Sequence, residues 1–531
     1  MVDSLCLIHP TFSGNHRENK MSDIDQQHIE GDTDSGLPEG WTIAKLGDLC
    51  AHPQYGWTTS ANKNGTGLKL LRTTDISGGT VNWSMVPFCA EEPNDPEKYL
   101  LETGDILVSR AGSVGLSYLV KECPQAIFAS YLIRFRPKPS IESEFITLFL
   151  KSPEYWASIV DQTSGIAIPN VNASKLKELE VPLPPLPEQK RIVAKVEELL
   201  ARVISARKHL AKVSIILKRF RQAVLAAACS GRLTSDWRDN ATRVTPVDQT
   251  IHEILQQREE EWIKANISKK YKRPQDVRID GLQALPEGWK YISSDTLISF
   301  VTSGSRGWAK YYVESGPIFI RVGNLDHDTI SPNFTGVQHV NPPAGQERDR
   351  TRTQLGDILI SITADVGMIA LLQDEIGKAY VNQHVSIVRP VKNTFRPYLA
   401  WYLASREGGQ AQFQDLQRGA TKVGLGLDDI KSVAIPFPPI EEQQEIVRRV
   451  ESMFKLADAV EKRVAFATAR AKKLTRAILA KAFRGELVPT EAELARRERR
   501  PYESASELLA RIKSERESKQ ASQKVFQEGG R

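Results

Sequence analysis

The sequence predicts an α/β protein with two repeated mixed α+β domains separated by two long antiparallel coiled-coil helices and related by a pseudo-twofold axis. Three observations lead to this fold class. An apolar pattern with heptad spacing occurs twice, the pentapeptide Leu-Pro-Glu-Gly-Trp occurs twice, and short β-like runs between Gly, Asn and Pro turns follow each pentapeptide. A chain of 531 residues also exceeds what one hydrophobic core usually holds. We therefore expect two domains joined by the two helices.

The heptad pattern marks the two long helices. Its first copy begins at Ile192 and its second at Ile446, 254 residues later (446 − 192 = 254). Apolar steps of four and three alternate without a break, as on a helix face that meets one partner helix. The main seam positions are Ile192, Val196, Leu199, Val203, Leu210, Val213, Leu217 and Phe220 in the first helix, and Ile446, Val450, Met453, Val460, Val464, Leu474 and Ile478 in the second.

The pairing of these helices is predicted from their length and direction. A helix of about 40 residues is about 60 Å long, which is more than the width of an ordinary domain, so a second helix of equal length is needed to cover its apolar face. The first helix leaves domain one and the second returns from domain two, which makes the pair antiparallel. The alternative is that each helix is an amphipathic surface helix on its own domain.

The two pentapeptides set the domain boundaries. They begin at Leu37 and Leu285, and the glycines Gly231 and Gly485 are expected to end the long helices. The predicted segments are a disordered N-terminal tail at 1–36, domain one at 37–180, the first spacer helix at 181–231, a linker with a short helix at 232–284, domain two at 285–432, the second spacer helix at 433–485, and a C-terminal linker, short helix and tail at 486–531.

Matching anchors inside the domains support a duplication. Thr103 to Ser109 resembles Leu355 to Ser361, and Arg136-Pro137 resembles Arg389-Pro390. The sequences between these anchors differ, as loops with different tasks would. The tryptophans of the pentapeptides, Trp41 and Trp289, are predicted to be core residues. A proline cluster precedes each long helix and is expected to act as a stiff start for it.

Composition indicates an ordinary cytoplasmic protein. Hydrophobic residues make up 40% and charged residues 26%, which is typical of a soluble globular chain. The five cysteines are dispersed, so neither a zinc site nor a disulfide framework is indicated. No apolar run approaches the roughly 18 residues that a membrane span needs. A net charge of +6 is compatible with a polyanionic partner but does not require one.

The sequence contains no convincing catalytic motif. It has no Gly-x-x-x-x-Gly-Lys-Ser/Thr loop for nucleotide phosphates. Residues 341–344 read Asn-Pro-Pro-Ala and resemble the Asn-Pro-Pro-aromatic motif of adenine methyltransferases, but alanine cannot stack on a flipped base. Glu188-Gln189-Lys190 fits the Glu-x-Lys triplet of some nucleases, but triplets of this kind are common by chance. We predict no catalytic residue and no metal site.

Several separated motifs together resemble the specificity subunit of type I restriction-modification enzymes. They are the two pentapeptides, the Pro-Pro-Leu-Pro-Glu-Gln cluster at 184–189, and the two helix ends at 217–225 and 478–487. The resemblance covers residues from about 37 to 515. It implies that the two domains are target-recognition domains that read the two halves of an interrupted site on double-stranded DNA.

The resemblance also implies partners. Two methylation subunits would be held on the helices, and restriction/translocation subunits would join that core. The chain itself would bind no cofactor, whereas S-adenosylmethionine, ATP and magnesium would act on the partner subunits. Methyl transfer and cleavage would therefore be directed, but not performed, by this chain.

Candidate DNA-binding residues are polar and aromatic side chains beside the anchors, because arginine can pair bidentately with guanine and Asn or Gln with adenine. The candidates in domain one are Tyr55, Trp57, Thr58, Thr59, Arg72, Thr73, Thr74, Asp75, Ser109, Arg110 and Ser113. Those in domain two are Arg306, Trp308, Arg321, Asn324, Thr363, Asn382, Gln383 and His384. For each of them the alternative is a solvated loop side chain or a phosphate contact.

Two rival functions remain at this level. The chain could be a coiled-coil scaffold that binds only proteins and does not read DNA, or an enzyme in its own right.

Overall fold

The computed structural model of the protein describes residues 36–163, 171–265, 270–417 and 424–528. The predicted N-terminal tail, apart from Gly36, lies outside these ranges. The described chain divides into two compact units. Unit one contains the residues up to 210 and those from 467 onwards, and unit two contains residues 211–466. Each unit therefore combines one predicted domain with parts of both long helices.

Domain one is a mixed α+β domain in unit one. Its strands are β1 (Thr42–Lys45), β2 (Gln54–Tyr55), β3 (Ala61–Asn62), β4 (Lys69–Leu71), β5 (Phe88–Cys89), β6 (Ile106–Ser109), β7 (Ser117–Leu119), β8 (Ala126–Phe128), β9 (Leu132–Phe135) and β10 (Glu180–Leu183). Its helices are α1 (Leu46–Leu49), α2 (Thr73–Ile76), α3 (Ser143–Phe149), α4 (Pro153–Thr163) and α5 (Ala173–Lys177). The strands form a sheet of order β2-β9-β6-β7, a sheet of order β3-β5-β4-β8, and the antiparallel pair β1-β10 that joins the two ends of the domain.

The first long helix and the linker follow. They contain α6 (Leu186–Cys229), α7 (Ser235–Asn240) and α8 (Val247–Ala265).

Domain two repeats the architecture in unit two. Its strands are β11 (Lys290–Ser293), β12 (Ile298–Ser303), β13 (Tyr312–Ile320), β14 (Gln338–Val340), β15 (Ile358–Ser361), β16 (Ile369–Leu371), β17 (Ala379–Val381), β18 (Val385–Pro390) and β19 (Ala434–Phe437). Its helices are α9 (Ser294–Leu297), α10 (Gln346–Arg350), α11 (Arg396–Ala404), α12 (Ala411–Leu416) and α13 (Leu427–Ser432). The sheets have the orders β12-β18-β15-β16 and β14-β13-β17, and β11 pairs with β19 as β1 pairs with β10.

The chain ends with α14 (Ile440–Phe483), α15 (Glu491–Glu498) and α16 (Ala505–Glu528). The last helix is longer than the short helix and tail that we expected. It packs on the start of domain one, because the Ala505 N–H donates to the Gly40 carbonyl at 2.9 Å and Leu508 and Ile512 are buried in the same core.

The long helices α6 and α14 pack together within each unit. In unit one, Val196 and Val203 of α6 share a core with Ile478 of α14. In unit two, Val224 of α6 shares a core with Val450 of α14. The seam residues of α6 in the predicted list are all buried or half-buried.

The direction of the pair is visible in unit two. Arg221 near the end of α6 contacts Asp458 at 2.5 Å and Glu461 at 3.0 Å. Beyond the end of α6, Asp236 of α7 contacts Arg449 of α14 at 2.6 Å. The chain therefore meets an earlier residue of α14 after α6 has ended, as an antiparallel pair requires.

The structure corrects the seam prediction at one position. Leu474 is 48% exposed, whereas its neighbour Thr475 is only 4% exposed. From the half-buried Ala471 the chain steps four residues to Thr475 and three to the buried Ile478, instead of three and then four. Both orders fit a heptad, and the packing of unit one selects the one with threonine inside.

The prediction that Gly231 and Gly485 end the long helices is confirmed. Both have positive φ, +72° and +71°, which favours glycine. A Cβ at Gly485 would lie 2.2 Å from Cγ of Pro38, and a Cβ at Gly231 would lie 2.5 Å from Cγ of Pro286. Each helix end therefore packs closely on the proline of a pentapeptide.

The pentapeptide tryptophan is a core residue, as predicted, and the structure shows that it also binds the start of a long helix. Trp41 is 8% exposed, and its indole N–H donates to the Glu188 carboxylate at 2.9 Å. The neighbouring Gln189 amide donates to the Pro184 carbonyl at 2.9 Å. The same contacts recur in unit two among Trp289, Glu442, Gln443 and Pro438. The Glu-Gln pair thus has a structural role, which explains why it is repeated.

An ion pair between a buried aspartate and a partly exposed arginine explains the other repeated anchors. The Arg136 guanidinium donates to the Asp105 carboxylate through Nε at 2.7 Å and Nη2 at 3.0 Å. In domain two, Arg389 donates to Asp357 through the same two nitrogens, each at 2.7 Å. Burial raises the pKa of the Asp357 carboxyl above its ordinary value, while the bonds from Arg389 oppose this shift. The two domains therefore share one frame.

Candidate nucleic-acid interface

The candidate site lies where two parallel strands end side by side in each domain. In domain one β4 runs parallel to β8, with Leu71 beside Phe128, and in domain two β13 runs parallel to β17, with Ile320 beside Val381. After the second strand the chain makes a short turn and enters the other sheet as β9 or β18. We call the loops at this end of each domain its rim. In domain one the rim contains Arg72, Arg110 and Tyr131, and in domain two it contains Arg321, Thr363 and His384. Side chains that leave parallel strands at their carboxyl ends converge, which is where ligands bind in many sheets.

A glycine holds another loop against each rim. A Cβ on Gly304 would lie 2.1 Å from the Asn382 carbonyl oxygen and 2.2 Å from that of Val381. The equivalent Gly56 would place a Cβ 2.2 Å from the Phe128 carbonyl oxygen. Only a residue without a side chain permits this approach of backbone to backbone. The frame of the rim is therefore rigid in both domains.

The rim of domain one contains a stacked arginine. The Arg110 guanidinium carbon lies 4.9 Å from the centroid of the Tyr55 ring. The Tyr55 hydroxyl accepts a hydrogen bond from the Ala173 N–H at 3.0 Å, and the Arg110 N–H donates to the Tyr131 carbonyl at 2.9 Å. Arg110 Nε is buried without a hydrogen-bond partner in the described part of the chain. The backbone N–H bond fixes the loop, and the Tyr55 ring holds the guanidinium in a half-exposed position from which a planar polar group could be bound.

The neighbouring loop is held from within. The Trp57 indole N–H donates to the Glu91 carbonyl at 2.9 Å, and the Thr59 hydroxyl accepts from the Glu91 N–H at 3.1 Å. Thr58 between them is exposed. Trp57 and Thr59 therefore position this loop, and Thr58 is the residue of the three that faces solvent.

Two further candidates in domain one serve local structure. Ser109 is fully buried, and its hydroxyl donates to the Ser113 carbonyl and accepts from the Leu116 N–H. In this structure Ser109 closes the turn between β6 and β7 and does not face solvent.

The loop after β4 contains the other four candidates of domain one. Arg72 is bound by Asp75 three residues later, with Nε to Oδ2 at 2.9 Å and Nη2 to Oδ1 at 2.8 Å. Thr73 is partly exposed and Thr74 is exposed at the start of α2.

The rim of domain two brings together residues from four loops. The Thr363 hydroxyl lies 2.5 Å from Nδ1 of His384, and the Gln383 amide nitrogen lies 2.9 Å from Nε2 of the same ring. Arg321 follows β13, next to the strand that leads to this turn. Arg306 is exposed in the loop held by Gly304. This cluster offers hydrogen-bonding groups of several kinds at one edge.

Three of the predicted residues in domain two have buried side chains that serve the packing of the domain itself. Trp308 is 5% exposed and packs between Phe319 and Tyr380, with ring centroids at 5.8 and 5.6 Å. Asn324 is 5% exposed and Asn382 is 9% exposed. Their amide oxygens accept backbone N–H groups of Arg321 and His384, so both residues shape loops.

Sequence reasoning missed Tyr131. The β-like run at 127–135 is one of the short runs predicted as a single strand, whereas the structure has β8, a turn at Ser130 and Tyr131, and β9. Tyr131 is 60% exposed and occupies the position of His384 in domain two. The repeat contained the signal, because the offset of 253 between Arg136 and Arg389 also relates Tyr131 to His384.

Other kinds of site are not found in the described ranges. They contain no group of three or more His, Cys, Asp or Glu side chains that could hold a metal ion. No helix within them combines the length and apolarity needed to cross a membrane.

Comparisons with known proteins agree with this geometry. The family model described as "Type I restriction modification DNA specificity domain" matches residues 38–213 and 338–465. The chain is 32% identical over 387 residues to the EcoBI specificity subunit of Escherichia coli, covering 70% of this chain and 73% of that protein. It is 29% identical over 494 residues to the EcoKI specificity subunit of Escherichia coli strain K12, covering 90% and 96%.

A solved structure has the same fold. A chain from a type I R-M system, described in connection with complex assembly and conformational transition, superimposes with a TM-score of 0.61 at 22% identity. The match covers 85% of this chain and 99% of that chain.

Proposed function

Because the chain belongs to the family of type I restriction-modification specificity subunits, we propose that it reads an interrupted DNA site in two halves, one with each domain. Subunits of this family recognise DNA sequence and are non-catalytic parts of their complexes. We propose in addition that the rim of each domain reads one half of the site.

One observation carries this proposal: the two domains share a frame but not a rim. The ion pairs Arg136–Asp105 and Arg389–Asp357 and the glycines Gly56 and Gly304 occupy equivalent positions. The residues presented on that frame differ, as domains with different targets require. For example, Tyr131 in one rim is replaced by His384 in the other.

We further propose that partner subunits supply the chemistry. Two methylation subunits would bind S-adenosylmethionine, and restriction/translocation subunits would use ATP and magnesium. Exposed apolar residues on the long helices support docking of proteins there, since large apolar groups at the surface often mark interfaces. These residues include Ile215, Ile216, Leu456 and Phe466, which are 58%, 60%, 64% and 71% exposed.

Methylation mapping tests the proposal. The genome of the host is sequenced for methyladenine with the gene intact, with the gene deleted, and with the gene restored on a plasmid. We expect one interrupted motif to lose methylation on deletion and to regain it on restoration. An unchanged methylation pattern, or loss of a motif without an interruption, would contradict two-domain reading.

The scaffold alternative makes a different prediction. A chain that binds only proteins would leave the DNA preference of its assembled complex unchanged when rim residues are altered. Competition binding with duplexes that contain or lack the mapped motif distinguishes the two functions.

A further inference from the structure

The two domains use one repeated arginine in different ways. Arg72 and Arg321 are each the first residue after the buried parallel strand of the rim. In both loops the arginine N–H donates to a side chain three residues later, Asp75 or Asn324, at 2.9 Å. The backbone geometry is thus the same, and the partner residue is what differs.

In domain one the carboxylate also captures the guanidinium. Asp75 accepts Nε and Nη2 of Arg72 in a fork-like pair while its side chain is only 13% exposed. The hydrogen bond to Asp75 raises the pKa of Arg72 above its ordinary value. Two charge-assisted bonds hold this side chain inside its own loop. The pair occupies the Nε–Nη2 edge of the guanidinium and ties Arg72 to its own loop, so only the Nη1 end is left for another planar partner.

In domain two the residue equivalent to Asp75 is Asn324, which cannot form an ion pair with the guanidinium of Arg321. Asn324 is neutral, its oxygen accepts the Arg321 N–H, and its Nδ2 donates to the Asn333 carbonyl at 2.9 Å. Within the described part of the chain, the Arg321 guanidinium forms no hydrogen bond or ion pair. It is partly exposed beside the Gln383–His384 turn.

We propose that Arg321 is a specificity-determining residue of domain two that donates to a guanine edge in its half-site, whereas Arg72 stabilises its own loop and reads no base. This inference rests on the proposed function. The guanidinium fork matches the N7 and O6 acceptors of guanine in the major groove. Arg321 is also mounted on a rigid frame, because the Asn382 N–H donates to the Ile320 carbonyl at 3.0 Å directly before it. Base readout requires such fixed placement of the side chain.

The test is a binding selection that needs no knowledge of the target. The full-length chain, assembled with its methylation subunits, selects from a library of randomised DNA duplexes, and the recovered sequences give the preference at each position of both half-sites. The variants are Arg321→Ala, Arg321→Lys, Asn324→Asp, Arg72→Ala and Asp75→Asn. Thermal unfolding of each variant shows that it is folded.

Arg321→Ala should reduce the preference for guanine at one position, or two adjacent ones, by about 10- to 100-fold, and only in the half-site read by domain two. Arg321→Lys should retain part of it, since lysine donates without the planar fork. Arg72→Ala should lower the unfolding temperature and leave the preferences in both half-sites within about twofold of the unmodified chain.

The Asn324→Asp variant tests whether the guanidinium of Arg321 must be free to bind, and not merely present. Asn324→Asp keeps Arg321 but supplies the carboxylate that holds Arg72 in domain one. By engaging the Nε edge of Arg321 it should weaken the guanine preference of that half-site, but by less than Arg321→Ala does, because the Nη1 end of the guanidinium stays free. The substitution also removes the donor to the Asn333 carbonyl, so if it unfolds the complex, the Arg321→Ala and Arg321→Lys pair decides the result. Asp75→Asn is the reciprocal control and should leave the preference of domain two unchanged.

Two results would overturn the inference. Arg321→Ala could weaken all duplexes equally, which would identify a phosphate contact, or Arg72→Ala could abolish a preference as strongly as Arg321→Ala does. An unmodified complex that selects no interrupted motif would instead refute the proposed function, so the two failures are distinguishable.

Discussion

The approach of Gly304 to the neighbouring backbone can be tested by adding one carbon atom. Gly304→Ala places a Cβ 2.1 Å from the Asn382 carbonyl oxygen and 2.2 Å from that of Val381. Ordinary contact begins near 3.4 Å, so the two segments must separate by more than 1 Å. Both obstacles are backbone atoms, which cannot rotate away as the end of a side chain can.

The expected cost follows from the hydrogen bonds at this point. The Gly304 N–H donates to Val385 at 3.0 Å and the Ser305 N–H to Val381 at 3.1 Å. A separation of this size breaks or weakens both, at about 1 kcal/mol each, and overpacking adds about 1–3 kcal/mol. Gly304→Ala should therefore lower the free energy of unfolding of domain two by about 3–5 kcal/mol.

The assay is urea unfolding followed by tryptophan fluorescence, with Gly323→Ala as the matched control. Gly323 lies in the same domain, lacks a positive φ, and has open space where its Cβ would be. Its substitution should leave stability unchanged or raise it by about 0.4–1 kcal/mol. Gly56→Ala and Gly78→Ala form the equivalent pair in domain one. Equal effects of Gly304→Ala and Gly323→Ala would refute the reasoning about the rim.

Three other perturbations have defined outcomes. Val450→Asp should lower the free energy of unfolding in urea by about 3–5 kcal/mol, because Val450 is fully buried in the seam. Ser452→Asp, on the exposed face of the same helix, should lower it by less than about 0.5 kcal/mol. Similar losses for the two variants would argue against a packed seam. Hydrogen bonding to Arg448 lowers the pKa of Glu445 from 4.5 to about 2, so its stabilisation is present above pH 4.5 and lost as the pH falls towards 2. Glu445→Gln should therefore destabilise the protein by about 1 kcal/mol at pH 7, after allowance for solvent screening, and by nearly nothing near pH 2; a difference independent of pH would contradict this. A fragment of residues 37–284 should dimerise at micromolar concentration in sedimentation experiments. The core of unit one needs a helix in the place of the absent α14, and because the chain is a repeat, the α6 of a second copy can supply it. A monomeric fragment would show that the halves are not equivalent.

The long helices could be predicted from sequence because burial on a helix follows a fixed spacing. The pattern identified both helices and most of the inward positions. It failed at Leu474 because steps of three and four are interchangeable within a heptad, and only the packing of unit one selects Thr475. The glycine ends and the core tryptophans could be predicted for a similar reason, since each depends on a local conformation or on a repeated motif.

The rim was predicted less well because the exposure of a loop side chain depends on distant parts of the chain. Trp308 is buried by Phe319 and Tyr380, and neither residue is near it in sequence. The pairing of Arg72 with Asp75 could have been predicted more easily from the sequence, since the two residues are only three positions apart. Tyr131 was missed because an apolar run was interpreted as one strand, although the repeat register relates it to His384.

The claim that each domain reads one half-site is tested most directly by duplicating a domain. The antiparallel pairs β1–β10 and β11–β19 close the two domains, so residues 290–437 can be replaced by a second copy of residues 42–183. Methylation mapping of cells that carry this chimera should reveal a motif in which the first half-site occurs twice, as an inverted repeat. A chimera that assembles with the methylation subunits yet still modifies the parental motif would contradict the account.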